Sequence, residues 1–301
     1  MTVDIFLSRI FSGMTAGSIY VLIALALVVV FRSSSTINFA QGEFALFTAY
    51  IAWWLTTKGV PLLAALAACM AAGFALGAVT ERLLIRPVRA RSETAVLIVA
   101  LGLFTGLNGL DGLIWGSEDK IFPKLLPSAD ADYFLIGGAR LHYDSIGVFV
   151  CMAAVVGLLV ALFKWTPLGL QMRAVATNAE SASLAGVKVG RVLVMSWGMS
   201  ATIGSLAGVL LVPILPPNQL DLASFFSVLI YASAAALFGG LDSVKGAVVG
   251  GLGLGVAESL INGYATFIGG SLPLTVALTI IVLVLVVKPT GVFGARRVER
   301  V

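Results

Sequence analysis

Charged residues are few in this chain: Asp, Glu, Lys and Arg make up only 11% of its 301 residues, while 59% are hydrophobic. A soluble domain carries about 25% charged residues, because its surface must face water. There are too few charges here to coat a globule of this size, so the apolar surface must be kept from water by lipid. There is one histidine and there are two cysteines, which argues against a metal site or a disulfide framework. Cys69 and Cys151 lie in apolar runs and read as small buried hydrophobes. His142, beside Tyr143 at the edge of such a run, reads as interfacial rather than catalytic. No G-x-x-x-x-G-K-[ST] phosphate loop occurs, and Val256 prevents the glycines at 251, 253 and 255 from completing G-x-G-x-x-G. H-E-x-x-H is missing too. The chain is therefore expected to be no enzyme, with no cofactor of its own and no ATP bound by that route.

What is abundant is the membrane-length apolar run. Crossing the hydrocarbon core takes about 20 mainly apolar residues. Such runs occur at 11–31, 37–57, 59–80, 94–115, 143–163, 192–212, 222–241, 246–262 and 265–287. The fold class that follows is all-α, a polytopic transmembrane helix bundle of about 8–9 membrane helices, with room for one re-entrant or broken element. No stretch remains for a soluble domain, so residues 1–301 read as a single transmembrane domain. The first run follows Arg9 but is too long for a signal-peptide core, and no A-x-A site follows it.

Charge placement orients these crossings. Arg82, Arg86, Arg89 and Arg91 fall in one loop, Lys164, Arg173, Lys188 and Arg191 in another, and Lys288, Arg296, Arg297 and Arg300 in the tail. Loop 117–142 is slightly acidic, with Glu118, Asp119, Asp130 and Asp132 against Lys120, Lys124 and Arg140. Nine crossings put the three basic segments on one side and the acidic loop on the other. By the positive-inside rule the C-terminus is cytoplasmic and the N-terminus external. The net charge of +4 fits this topology, and no nucleic-acid partner is expected.

Small residues four apart recur as Gly13/Gly17, Gly73/Gly77, Gly102/Gly106, Gly204/Gly208, Gly246/Gly250 and Gly251/Gly255. Spacing of this kind lets helix backbones approach closely in lipid. With 33 glycines in the chain single pairs mean little, but the density at 246–255 predicts a close helix crossing. Two polar stretches interrupt the apolar pattern, RSSSTINFAQGE (32–43) and GGLDSVKG (239–246). Each can be a broken element facing a cavity or a short cytoplasmic turn, and for the second the turn is preferred.

Intramembrane polar residues are the best leads to function, because desolvating them is costly. Asn38, Gln41 and Glu43 form the strongest group. Asn38 and Gln41 share a helical face by their i,i+3 spacing and can line a substrate pathway, while Glu43 can equally cap a helix or bond to a neighbour. Asp111 with Asn108, and Glu258 with Asn262, are similar pairs near the ends of their runs. The loop at 164–191 is punctuated by Pro167 and Gly169. It then predicts a short helix over 172–185, stopped by Gly186, with a small-residue surface of Ala174, Ala176, Ala179, Ala182 and Ala185. Such a helix, bearing Arg173, suits a groove on another protein. As an amphipathic helix on lipid it would have only Met172 and Leu184 as anchors.

INFAQGEFALFTAY (37–50), RAVATNAESASLAGV (173–187), GGLDSVKGAVVGGLGLGVAES (239–259) and KPTGVFG (288–294), in this order, resemble the signatures of the LivH-type permease subunit of bacterial branched-chain amino-acid ABC importers. The resemblance runs from about residue 10 to 294. It implies that 173–187 is the segment coupling the permease to a cytoplasmic ATPase, with Arg173, Ala174, Asn178, Ala182, Leu184 and Gly186 as its contact residues. It implies a LivM-type second permease subunit, two cytoplasmic ATPase subunits that hold the ATP, a periplasmic substrate-binding protein, and placement in the bacterial inner membrane. The solute would be a branched-chain amino acid or a related small amphiphile. Asp242 departs from the pattern, standing where a small residue is commoner. The competing reading, a stand-alone secondary transporter or channel, requires coupling-ion or proton-relay charges in the membrane, and few are present.

Overall fold

The computed structural model describes residues 3–89, 92–123, 133–214, 219–264, 272–288 and 290–294. In chain order its helices are α1 (Val3–Ser34), α2 (Gln41–Thr57), α3 (Leu62–Thr80), α4 (Arg86–Arg89), α5 (Glu93–Trp115), α6 (Tyr143–Trp165), α7 (Pro167–Thr177), α8 (Ala179–Leu184), α9 (Val189–Leu211), α10 (Ser224–Gly239), α11 (Val244–Tyr264) and α12 (Leu272–Val287). A π-helical turn over Glu81–Ile85 fuses α3 and α4 into one rod, Leu62–Arg89. Each of the nine apolar runs has its helix, α1, α2, α3, α5, α6, α9, α10, α11 and α12. Among the described residues six of these helices are long and apolar enough to cross a membrane. The helices α2, α10 and α12 are shorter, with 17, 16 and 16 residues.

Helices α1 and α9 form the centre, and α3, α5 and α6 present mostly exposed apolar faces. Close approach depends on the small-residue pairs, since lipid gives helices no hydrophobic reason to associate. Gly13 and Gly17 of α1 lie against Gly255 and Gly251 of α11. Gly73 and Gly77 of α3 lie against Ala201 and Trp197 of α9, Gly204 and Gly208 of α9 against α2, and Gly246 and Gly250 of α11 against α10. Around Gly102 and Gly106, in contrast, nothing comes within 4 Å of an added Cβ.

The two ends of the bundle are built differently. At one end the first turn of α1 meets a hairpin of β2 (Tyr133–Ile136) and β3 (Ala139–His142), where Asp4 and Leu7 adjoin Gly138 and Gly137. The same end holds the short antiparallel pair β1 (Lys120–Ile121) and β4 (Gln219–Leu220), and the Trp53 indole donates to the Ile121 carbonyl at 3.1 Å. These strands are the one addition to an all-helical reading. At the opposite end Arg86 donates to the Gly190 carbonyl at 2.8 Å, and Arg32 lies over the Phe163 ring at 4.1 Å. The C-terminal motif packs there as well, with the Val292 and Phe293 amides donating to the Phe238 and Gly239 carbonyls at 2.8 and 3.0 Å. Arg91, Lys124, Asp130, Asp132, Arg296, Arg297 and Arg300 lie outside the described residues.

Two local readings are corrected. The single helix expected over 172–185 is two helices, because Asn178 is extended (φ −159°) and caps α8, accepting the Ser181 amide at 2.8 Å. The first of them, α7, starts earlier, at Pro167, behind a Thr166 cap. The uniform small-residue surface is also absent, because Ala182 is buried against the bundle beside Met172 and Val175.

Candidate functional site

The stretch at 32–43 is a broken element. Ser35 takes a left-handed conformation (φ 57°), ending α1, and α2 then starts deep inside the bundle. Its depth follows from its partners. The Gln41 carboxamide donates to the Ser200 carbonyl at 3.2 Å, and the Ser200 hydroxyl reaches both Gln41 Oε1 and the Ala26 carbonyl at 2.8 Å. Ala26 lies two turns before the end of α1, about 12 Å along its axis. The backbone lost to helix here must find other partners away from water. Asn38 supplies them, accepting the Ala40 amide on its side chain at 3.1 Å and the Gln41 amide on its carbonyl at 3.2 Å. Its own amide donates to Gln41 Oε1 at 3.2 Å. Asn38, Gln41 and Glu43 are all completely buried.

Asn38 and Gln41 therefore do share a site, while Glu43 turns to a different neighbour. Asn108 of α5 donates to Glu43 Oε2 at 3.2 Å and to the Leu222 carbonyl at 3.0 Å. Asp111, one turn further along α5, is completely buried within electrostatic reach of Glu43. Sequence reading had Asn108 and Asp111 as a local pair, without their meeting Glu43 across the bundle. It also missed Ser200. The available signal was the four-residue spacing of small residues at Ser200, Gly204 and Gly208, a strip on which α2 lies. Glu258 pairs with the Tyr20 hydroxyl at 2.5 Å.

At the basic end, α7 and α8 form the second candidate. Arg173, Asn178, Leu184 and Gly186 are exposed, Ala174 is half-buried and Ala182 is buried. Leu184 is 86% exposed, an apolar side chain held out on a helix end. Gly186 (φ 86°) closes the pair in a conformation that an L side chain adopts only with strain. Arg32 of α1 lies within electrostatic reach of Arg173 and Asp242, so α7 and the α10–α11 turn meet at the C-terminal end of α1. GGLDSVKG (239–246) is accordingly a turn between helices and not a broken crossing.

Comparison with known proteins agrees with this architecture. A family model described as branched-chain amino acid transport system / permease component matches residues 9–287. The permease protein BraD of Pseudomonas aeruginosa, named for high-affinity branched-chain amino acid transport, is 33% identical over 98% of this chain and 98% of its own length. LivH of Salmonella typhimurium, named for the same transport, is 30% identical over 98% of each chain. The xylose/arabinose import permease XylH of Sulfolobus acidocaldarius is 30% identical over 58% of this chain and 56% of its own. Matched along almost its whole length, this multi-pass membrane chain belongs to the branched-chain amino acid transport permease family.

Proposed function

We propose that this chain is one permease subunit of an ATP-driven importer in the bacterial inner membrane, carrying a branched-chain amino acid or a related small amphiphilic solute. The chain itself binds no nucleotide and performs no chemistry. A LivM-type second permease completes the path, two ATPase subunits dock on the basic, cytoplasmic end, and a periplasmic binding protein delivers solute to the other. The C-terminus is cytoplasmic, on the side of the α7–α8 pair.

The observation that carries this reading is the α7–α8 pair. It lies between two crossings, is held to α1 and α9, and exposes Arg173, Asn178, Leu184 and Gly186 together at the basic end. A small, rigid projection with one apolar anchor suits insertion into a groove on a motor protein. Pulling on it would shift α1 and α9, the two central helices, and so alternate access around the polar groups between them. Carriage of solute past buried Asn38, Gln41 and Glu43 supplies the few polar contacts that an amphiphile needs in an apolar path. The relation to a sugar-import permease argues that the scaffold itself does not fix the solute.

Leu184→Asp and Arg173→Glu test the coupling. Both residues are exposed, so the variants should accumulate in the membrane as the wild type does, yet lose co-purification with the ATPase subunits and lose uptake. Uptake that persists in these variants, or in cells without the ATPase subunits, refutes the reading and favours a stand-alone transporter.

A further inference from the structure

Three carboxyl oxygens in the seam between α2 and α5 have no hydrogen-bond partner: Glu43 Oε1, Asp111 Oδ1 and Asp111 Oδ2. The side chains are nevertheless completely buried. Glu43, Phe47 and Tyr50 fall at i, i+4 and i+7 on α2, and Asn108, Asp111 and Trp115 at i, i+3 and i+7 on α5, so each trio occupies one helix face. The two faces meet along their length. Asn108 binds Glu43 at the inner end at 3.2 Å. At the outer end the Trp115 ring stacks on Tyr50 at 5.2 Å and 9°, and meets Phe47 edge-on at 5.3 Å. Tyr50 lies within electrostatic reach of both acids, and its hydroxyl is also without a partner.

Two neighbouring acids shielded from water either hold their protons or stay charged against a positive group, and a charged pair needs that group close by. Among the described residues the salt bridges are Arg86–Glu81 and Lys120–Glu118, and neither lies in this seam. We infer that the Glu43–Asp111 seam binds the primary ammonium group of the transported solute, an inference that rests on the proposed transport of an amino-acid-like compound. An ammonium has three N–H donors, matching the three vacant carboxyl oxygens. The adjoining rings add cation–π attraction, which favours an organic cation. A hard metal ion demands six or more oxygen ligands, and the described residues contain no group of three acids, cysteines or histidines able to hold one. Asn108 acts as a positioning residue, tying Glu43 to the Leu222 carbonyl ahead of α10. Both acids are covered in this conformation, so the ammonium enters when α5 parts from α2 during alternating access.

The test uses the complete importer purified with its partner subunits. Isoamylammonium chloride serves as the probe, and sodium 4-methylpentanoate, the same carbon skeleton with an acid in place of the amine, as the control. Isoamylammonium should bind saturably to the wild type and at least tenfold more weakly to Asp111→Asn and Glu43→Gln, with no competition from 4-methylpentanoate. Without probe, the amide variants should melt no lower than the wild type, since they relieve like-charge crowding, whereas a purely structural carboxyl pair would give a lower melting temperature. Equal affinity in wild type and variants, or a lower melting temperature with unchanged affinity, overturns the inference. Uptake of L-leucine into vesicles separates this outcome from failure of the transport reading. A wild type that binds isoamylammonium in the seam but accumulates no leucine keeps the site and refutes the branched-chain solute. Normal leucine uptake with unchanged affinity in Asp111→Asn refutes the site and keeps the transport.

Discussion

Replacing Gly17 with alanine tests whether backbone proximity holds the two long helices α1 and α11 together. A Cβ at Gly17 would lie 2.8 Å from the Gly251 carbonyl oxygen and 2.9 Å from Leu252 Cα, short of ordinary contact at 3.4 Å by 0.6 and 0.5 Å. Both obstacles are backbone, so no side-chain rotation relieves them and the helices must move apart. A gap of about half an ångström forfeits roughly a quarter of the dispersion energy of each atom pair along the crossing. With the strain of overpacking the cost is ~1–3 kcal/mol, offset by ~0.5–1 kcal/mol of helix propensity gained over glycine. The net expectation is ~0.5–2 kcal/mol of destabilisation. The same substitution at Gly102 meets nothing within 4 Å and keeps only the propensity gain. One chemical change should therefore have opposite signs at two glycines. Thermal unfolding of the purified subunit in detergent should show Gly17→Ala melting lower by about 2–4 °C, and Gly102→Ala melting no lower than wild type. If Gly17→Ala melts as high as Gly102→Ala, the reasoning from close backbone contact is refuted.

Other consequences follow from single contacts. Gln41→Leu strands the Asn38 amide and removes a donor from the Ser200 carbonyl, so denaturation should show a loss of ~1–3 kcal/mol, and a neutral effect would mean that the network is not stabilising. Asn178→Ala removes the cap of α8 at a cost of ~1 kcal/mol, which should accelerate hydrogen exchange of the Ser181 amide about fivefold while α7 is unaffected. Gly240→Ala forces an L side chain to φ 102° and sets its Cβ 2.6 Å from the Gly294 amide nitrogen. It should free the C-terminal motif, seen as faster exchange of the Val292 and Phe293 amides with exchange in α11 unchanged.

The bundle was legible in the sequence because water imposes a length and composition rule on each crossing separately. Each of the nine apolar runs could be read without knowing its neighbours, and so could Gly186 as a helix stop. Glycine pairs marked which helices can approach closely, but not which helix each approaches. Gly102/Gly106 has the same spacing as Gly13/Gly17, and only one of these pairs meets a neighbour. The break at Asn178 was hidden because an N-cap competes with helix continuation by an energy too small to read from a run of good helix formers.

The sequence by itself determined that this chain is an all-helical, multi-pass membrane protein and where its apolar helices fall, because lipid and water act on every segment independently. Only the tertiary structure decided that α2 begins inside the bundle on the Ser200 strip, that Ala182 turns inward, and that Glu43 meets Asn108 and Asp111. Those outcomes depend on which helices become neighbours. In lipid that choice is made by matching of backbones and buried polar groups across long sequence separations, a property of pairs of surfaces that no single segment contains.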